Sequence, residues 1–266
     1  MAKNIKNVIA VGSGKGGVGK STVAVNLALA LKQEGFKVGL LDSDIYGPSI
    51  PIMFGIKEGE KPTVTKENRI TPLMRYDMPL MSMGFLLQQR EAVIWRGPML
   101  GKMLQQFLEQ VDWGDLDYLV VDLPPGTGDV QISLAQMIPL SGAVVVTTPQ
   151  DVAMVDVIRA IRMFEMTKVP LLGIVENMSY FQAPDQKYYI FGGGEDKSRY
   201  QKLGLSFLGE FPLEVETRVG GDEGIPIVVK APQSTQAKRF AGLAKQIVAS
   251  LKTRTTGNDL ELPSLH

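Results

Sequence analysis

Asn7-Val8-Ile9-Ala10-Val11 runs directly into Gly12-Ser13-Gly14-Lys15-Gly16-Gly17-Val18-Gly19-Lys20-Ser21-Thr22, and this junction decides the fold. A short apolar run without alternation reads as a strand covered on both faces of a parallel sheet. Beyond the glycines, Val25, Ala28 and Leu29 recur at helical spacing, so a helix is expected over 21–32. Between strand and helix, Gly14 to Ser21 fits G-x-x-x-x-G-K-[ST], in the context that makes this spacing a phosphate-binding loop. Glycines let successive N–H groups converge on an anion with no Cβ in the way, and the helix N-terminus adds partial positive charge. The phosphates of a nucleotide are therefore expected against Gly14, Lys15, Gly16, Gly17, Val18, Gly19, Lys20, Ser21 and Thr22. Lys20 is expected on the β- and γ-phosphates, and the Ser21 hydroxyl on Mg²⁺.

Outward from the loop, further apolar runs at 38–42, 118–122, 142–148 and 171–177 read as buried strands, with 78–84 as a possible additional one. Helical patterns cover 98–111, 151–168 with Asp151 as N-cap, and 234–252, where Phe240, Ala241, Ala244, Ile247, Val248 and Leu251 share a face. Strand alternating with helix predicts a doubly wound, mainly parallel α/β sheet flanked by helices. One domain is expected over 1–252, with 57–75 as a charged, proline-punctuated surface insertion and 253–266 as a polar, flexible tail. Six of the 13 methionines lie between Met74 and Met103, where core filling is the expected use.

Composition narrows the chemistry. The 266 residues carry 28 basic and 28 acidic side chains, so no net charge pulls the chain towards nucleic acid or an anionic membrane. With 44% hydrophobic and 21% charged residues it is a globular sequence. It has no apolar run of about 18 residues, and Met1 to Lys6 is polar, so a cytoplasmic protein is expected. There is no cysteine, and the single histidine is His266, which excludes disulfides, thiolate chemistry and the usual zinc sites.

Acidic residues follow two of the strand runs. Carboxylates at the C-terminal ends of parallel strands face the ligand crevice. Asp44 is accordingly expected to position the attacking water, Asp42 to hold a water of the magnesium shell, and Asp122 to make an outer-sphere Mg²⁺ contact. After Asp122, Leu123-Pro124-Pro125-Gly126-Thr127-Gly128-Asp129 joins a stiff arm to hinge positions, which suits a segment that senses the γ-phosphate.

The stretch Lys15 to Thr22, K-G-G-V-G-K-S-T, resembles the deviant Walker A loop of the MinD, ParA, nitrogenase iron protein and Mrp group. The segments at 42–49 (D-S-D-I-Y-G-P-S), 82–85, 94–98 (I-W-R-G-P), 122–129 (D-L-P-P-G-T-G-D), 176–181 (E-N-M-S-Y-F) and 221–226 are similar to the Mrp/ApbC branch, the iron-sulfur cluster carriers. The resemblance implies an ATP- and Mg²⁺-dependent ATPase working as a homodimer. In it Lys15 reaches the partner's phosphates and acts in catalysis with Lys20 and Asp44, while Asn177 reads the adenine. A capping asparagine is the alternative for Asn177. Partners implied are iron-sulfur scaffolds or apo-client proteins, with no role for nucleic acid or membrane. The family commonly carries C-P-x-C after Tyr-Phe, but here Ala183 and Gln186 occupy the cysteine places. Thiolates hold such clusters, so ligation by this chain is not expected. The competing expectations are a MinD- or ParA-like spatial organiser and a non-catalytic, ATP-gated adaptor. The stretch 255–266 has two acidic residues and no lysine or arginine, which argues against a membrane-binding terminal helix.

Overall fold

In the computed structural model, which describes residues 4–87, 97–194 and 197–255, neighbouring residues of the first strand face opposite ways. Ile9 and Val11 enter one buried cluster, whereas Val8 and Ala10 enter another. The same division separates Leu40 from Leu41 and Val120 from Val121. Cover on both faces is the reason these runs show no polar alternation.

In chain order, β1 (Ile5–Gly12), α1 (Lys20–Gln33), β2 (Val38–Asp42) and α2 (Ile50–Met53) come first. They are followed by β3 (Thr63–Val64), β4 (Ile70–Thr71), β5 (Leu73–Arg75), β6 (Met78–Ser82) and α3 (Gly84–Leu87). Next come α4 (Gly97–Gln110), β7 (Leu116–Asp122), α5 (Asp129–Met137), β8 (Gly142–Thr147), α6 (Asp151–Met166) and β9 (Leu171–Asn177). The remainder is β10 (Phe181–Gln182), β11 (Lys187–Tyr188), α7 (Ser198–Gln201), β12 (Phe207–Phe211), α8 (Val215–Asp222), α9 (Ile227–Lys230) and α10 (Thr235–Thr255).

Eight strands form the main sheet in the order β12-β9-β8-β1-β7-β2-β6-β5, all parallel except the β5–β6 pair. Helices α1 and α10 pack on one face, with Leu27, Leu31, Phe240 and Ile247 in a shared cluster. On the other face lie α4, α5 and α6, contributing Phe107, Leu134, Ile161 and Phe164. Among the described residues no helix is long and apolar enough to cross a membrane.

Four expectations are corrected. Asp151 is the first residue of α6 and not its cap, which is Gln150 in extended conformation. The insertion at 57–75 is not wholly peripheral: β3 and β4 form a separate hairpin, but Leu73–Arg75 adds an antiparallel edge to the main sheet. Thr253 to Thr255, expected in the tail, continue α10, and 256–266 lie outside the described residues, as do Ile94 to Arg96. Of the clustered methionines, Met78, Met81 and Met83 are core residues, whereas Met74 is exposed on β5.

Candidate nucleotide-binding site

Strand register brings the acidic residues level with the loop. Asp122 pairs with Val11 on one side and with Asp42 on the other, so β1, β7 and β2 end together beneath the phosphate-binding loop. Lys20 opens α1 and is buried; its Nζ lies 2.7 Å from Asp122 Oδ1 and 4.0 Å from Asp44 Oδ2. The Ser21 hydroxyl donates to Asp122 Oδ2 at 2.5 Å. Burial, with the charge of Asp44 adding to it, pushes the Asp122 carboxyl above its usual range against the pull of Lys20 and Ser21.

Asp44 Oδ1 accepts from the N–H groups of Tyr46 and Gly47 at 3.0 and 3.2 Å, an arrangement that folds the turn after β2. Asp42 is more inward than expected for a residue in the magnesium shell. Its oxygens accept from Ser82 Oγ at 2.9 Å and from the Asp44 N–H at 3.1 Å. Burial, then the charge of Asp122, pushes the Asp42 carboxyl up to about 8.

The loop itself is held from two sides. Gly19 has φ +80°, and a Cβ there would lie 2.2 Å from Asn177 Nδ2, which donates to the Val18 carbonyl at 2.9 Å. Asn177 is thus a clamp on the loop as well as a wall of the site. At the opposite side Gly14 touches α6 so closely that a Cβ would lie 2.2 Å from the Asp156 carbonyl oxygen. The Pro-Pro-Gly segment also leans on the loop, with the Gly126 N–H donating to the Ser13 carbonyl at 2.9 Å.

Above these residues opens a cleft of about 260 Å³ whose walls include Lys15, Gly16, Gly17, Gly19, Lys20, Ser21, Thr22, Asp44 and Pro125. Gly14, Val18, Asp42 and Asp122 support this cleft without lining it. Thr22, Ser49 and Met53 are shared with a second cavity of about 440 Å³, walled by Asn177, Met178, Pro212, Leu213, Glu214, Thr217, Arg218, Gln236 and Phe240. The smaller cleft over the glycine loop thus runs into a larger, mostly apolar chamber. Gly221 and Asp222, within the segment at 221–226, also line the chamber, whereas the walls from Pro212 to Arg218 and at Gln236 and Phe240 come from the β12–α8 loop, α8 and the start of α10 and carry no motif.

The sequence also hid a charged network at the end of β9. Glu176 is fully buried and accepts from Lys197 Nζ, Arg199 Nη2 at 2.6 Å and Tyr200 Oη. Burial raises its pKa, but these three donors outweigh it and hold the carboxyl below the usual range. An acidic residue inside an otherwise apolar strand was the available signal, since such a group needs a buried cation. The segment at 183–186 closes the β10–β11 hairpin, with the Ala183 N–H donating to the Gln186 carbonyl at 3.0 Å.

Residues 4–248 match the family model described as NUBPL iron-transfer P-loop NTPase. The chain belongs to this family. It is 55% identical over 252 residues to an iron-sulfur cluster carrier protein of Aquifex aeolicus, covering 92% of this chain and 69% of that one. A relative in Dictyostelium discoideum, the iron-sulfur cluster transfer protein NUBPL, is 50% identical, covering 94% of this chain and 78% of its own length. Among solved structures, the nucleotide-binding protein of Archaeoglobus fulgidus in complex with ADP is 40% identical, with TM-score 0.76 over 89% of this chain and 93% of that one. The cell division ATPase MinD of Pyrococcus furiosus shares the fold at 22% identity and TM-score 0.69, covering 92% of this chain and 99% of that one. The doubly wound, mainly parallel P-loop architecture and the Mrp/ApbC resemblance are thereby both established.

Proposed function

We propose that this chain is a Mg²⁺-dependent ATPase acting as a homodimer in iron-sulfur cluster assembly or client maturation, without ligating a cluster through cysteines of its own. The observation that carries the ATPase reading is the arrangement of Lys20, Ser21 and Asp122 at the floor of a glycine-lined cleft that opens into a purine-sized chamber. The names of the relatives carry the iron-sulfur part.

In the cleft, Lys20 neutralises Asp122 and stands near Asp44. An incoming triphosphate offers Lys20 a stronger anionic partner, while the loop N–H groups and the start of α1 receive the phosphate oxygens. Ser21 and Asp122 supply the hard oxygen donors that fit Mg²⁺. When bound, the ion would neutralise charge on the β- and γ-phosphates. Asp44, beside the cleft and within reach of Lys20, orients the attacking water. Lys15 lines the cleft and crosses to the phosphates of a second copy, which makes hydrolysis slow in the monomer.

Calorimetry with Mg²⁺-ATP, together with phosphate release followed across protein concentration, tests this reading. ATP uptake and a specific activity that rises with protein concentration are expected. Lys15→Ala should keep ATP uptake while turnover falls about 10³-fold or more. An absence of Mg²⁺-ATP uptake by the wild type would remove the ATPase reading.

A further inference from the structure

At the end of the sheet remote from the phosphate loop, the last turns of α4 and α5 border a cavity of about 450 Å³. Its walls include the buried side chains of Val8, Leu108 and Ile138 and the exposed Met137, with Lys6, Glu109 and Gln136 at the rim. An open apolar surface of this kind calls for an occupant. Helix α10 ends close by. Arg254 donates to the Leu171 carbonyl at 2.9 Å, Leu171 pairs with Ala143, and the Ser141 N–H in the wall of the cavity donates to the Val8 carbonyl at 2.8 Å. Because β9, β8 and β1 are neighbours, spaced at about 4.8 Å, the start of β9 is about 10 Å from the cavity.

Beyond Thr255 the chain continues as Thr256-Gly257-Asn258-Asp259-Leu260-Glu261-Leu262-Pro263-Ser264-Leu265-His266. At about 3.3 Å per extended residue, Leu260 and Leu262 reach about 16 and 23 Å from Thr255. That suffices to round the end of the sheet from the face of α10 to the face of α5. Residues 259–262 alternate acid and leucine, which puts both leucines on one side of an extended chain and both carboxylates on the other. The exposed Lys168, in the loop before β9, stands along the way, and the Lys6 side chain is 74% exposed at the rim. We propose that residues 259–265 bind back into this cavity as an extended strap, Leu260 and Leu262 entering between α4 and α5 while Asp259 and Glu261 face outward. The strap ties α10 on one face of the sheet to α5 on the other.

The chain has no cysteine, so an introduced pair reports alone in the full-length protein. Gln136→Cys is combined in turn with Asp259→Cys, Leu260→Cys, Glu261→Cys and Leu262→Cys, thermal melting confirms that each pair is folded, and disulfide closure under mild oxidation is timed. A disulfide requires the two Cα atoms within about 7 Å, so closure reads which side of the strap faces the cavity. Positions 260 and 262 should close about 5-fold or more faster than 259 and 261, at a rate independent of protein concentration. Adding Leu262→Asp to the Leu260→Cys pair should remove that advantage. Equal closure at all four positions, or closure at none, overturns the proposal, because a freely moving tail has no inward side. Closure that accelerates with protein concentration also overturns it, since the segment then enters the cavity of a second copy.

Discussion

At the scale of single residues, the site is a problem in burying carboxylates. Asp42 and Asp122 are side by side on adjacent strands and fully buried, and the Lys20 ammonium lies against Asp122 at 2.7 Å, with Asp44 at 4.0 Å. Burial, then the charge of Asp122, pushes the Asp42 carboxyl up to about 8, so it is accommodated by keeping its proton. The linkage has a definite sign. An unfolded Asp releases its proton near pH 4, so between about 4 and 8 the folded protein binds one proton more than the unfolded chain. Asp42 therefore favours the fold at low pH and opposes it increasingly as pH rises through that window. Urea unfolding of wild type and Asp42→Asn should show the variant gaining on the wild type by about 1.4 kcal/mol per pH unit inside the window, and no further below it. A constant difference from pH 4 to 8 would place the proton elsewhere. Glycine matters at the same scale where the backbone approaches closely. Gly14→Ala would drive its methyl into the Asp156 carbonyl, which belongs to a helix and cannot turn aside. The variant should lose about 1–3 kcal/mol in unfolding experiments and bind Mg²⁺-ATP less tightly.

At the scale of elements, the central strands and the long helices were readable because each obeys one simple period. β2 and β9 have the bounds their apolar runs indicate, and α1 differs by one residue at each end. The elements without such a pattern escaped. β12 reads Phe-Leu-Gly-Glu-Phe, with a glycine at its centre, and α8 contains Gly220 and Gly221. Both depend on tertiary cover: the Phe211 ring packs tilted against that of Phe240 on α10 with centroids 4.5 Å apart, and Gly220 lies where a Cβ would meet the Ile225 carbonyl at 2.6 Å. The candidate site divides along the same line. Its phosphate half is a contiguous motif, whereas its base half is assembled from the ends of β9, β12, α8 and α10. The charged network of Glu176 with Lys197, Arg199 and Tyr200 links β9 to the segment around α7, just behind Asn177. Glu176→Gln removes the anion but leaves two cations near a buried amide. A destabilisation of about 3 kcal/mol is expected by chemical denaturation. Because the Glu176 carboxyl is held low, its contribution is present above about pH 4.5 and fades as pH falls, so the loss in Glu176→Gln should shrink towards acid.

At the scale of the whole molecule, the chain has a phosphate-binding loop beside a hairpin at 181–188, where the resembled family is expected to carry cysteines and this chain has Ala183 and Gln186. The β10–β11 hairpin pairs Phe181 with Tyr188 and closes through Ala183 and Gln186. Phe181, Tyr188 and Ile190 on this segment are exposed. Iron-sulfur clusters need thiolates, and no cysteine occurs anywhere in the 266 residues. Neither a methyl group nor a neutral amide substitutes for one. On the function proposed above, a role in cluster metabolism runs through a partner that holds the iron. Anaerobic incubation with iron and sulfide separates this from a hidden ligand set. The wild type should retain about zero iron per chain and show no visible absorption band after desalting, in the presence or absence of ATP. If the hairpin is only a scaffold without its ligands, the double variant Ala183→Cys with Gln186→Cys should acquire iron, and size exclusion should find that iron in dimers. Stoichiometric iron in the wild type would mean that oxygen or nitrogen ligands do here what thiolates do in the family, and the proposal of a client-held cluster would fail.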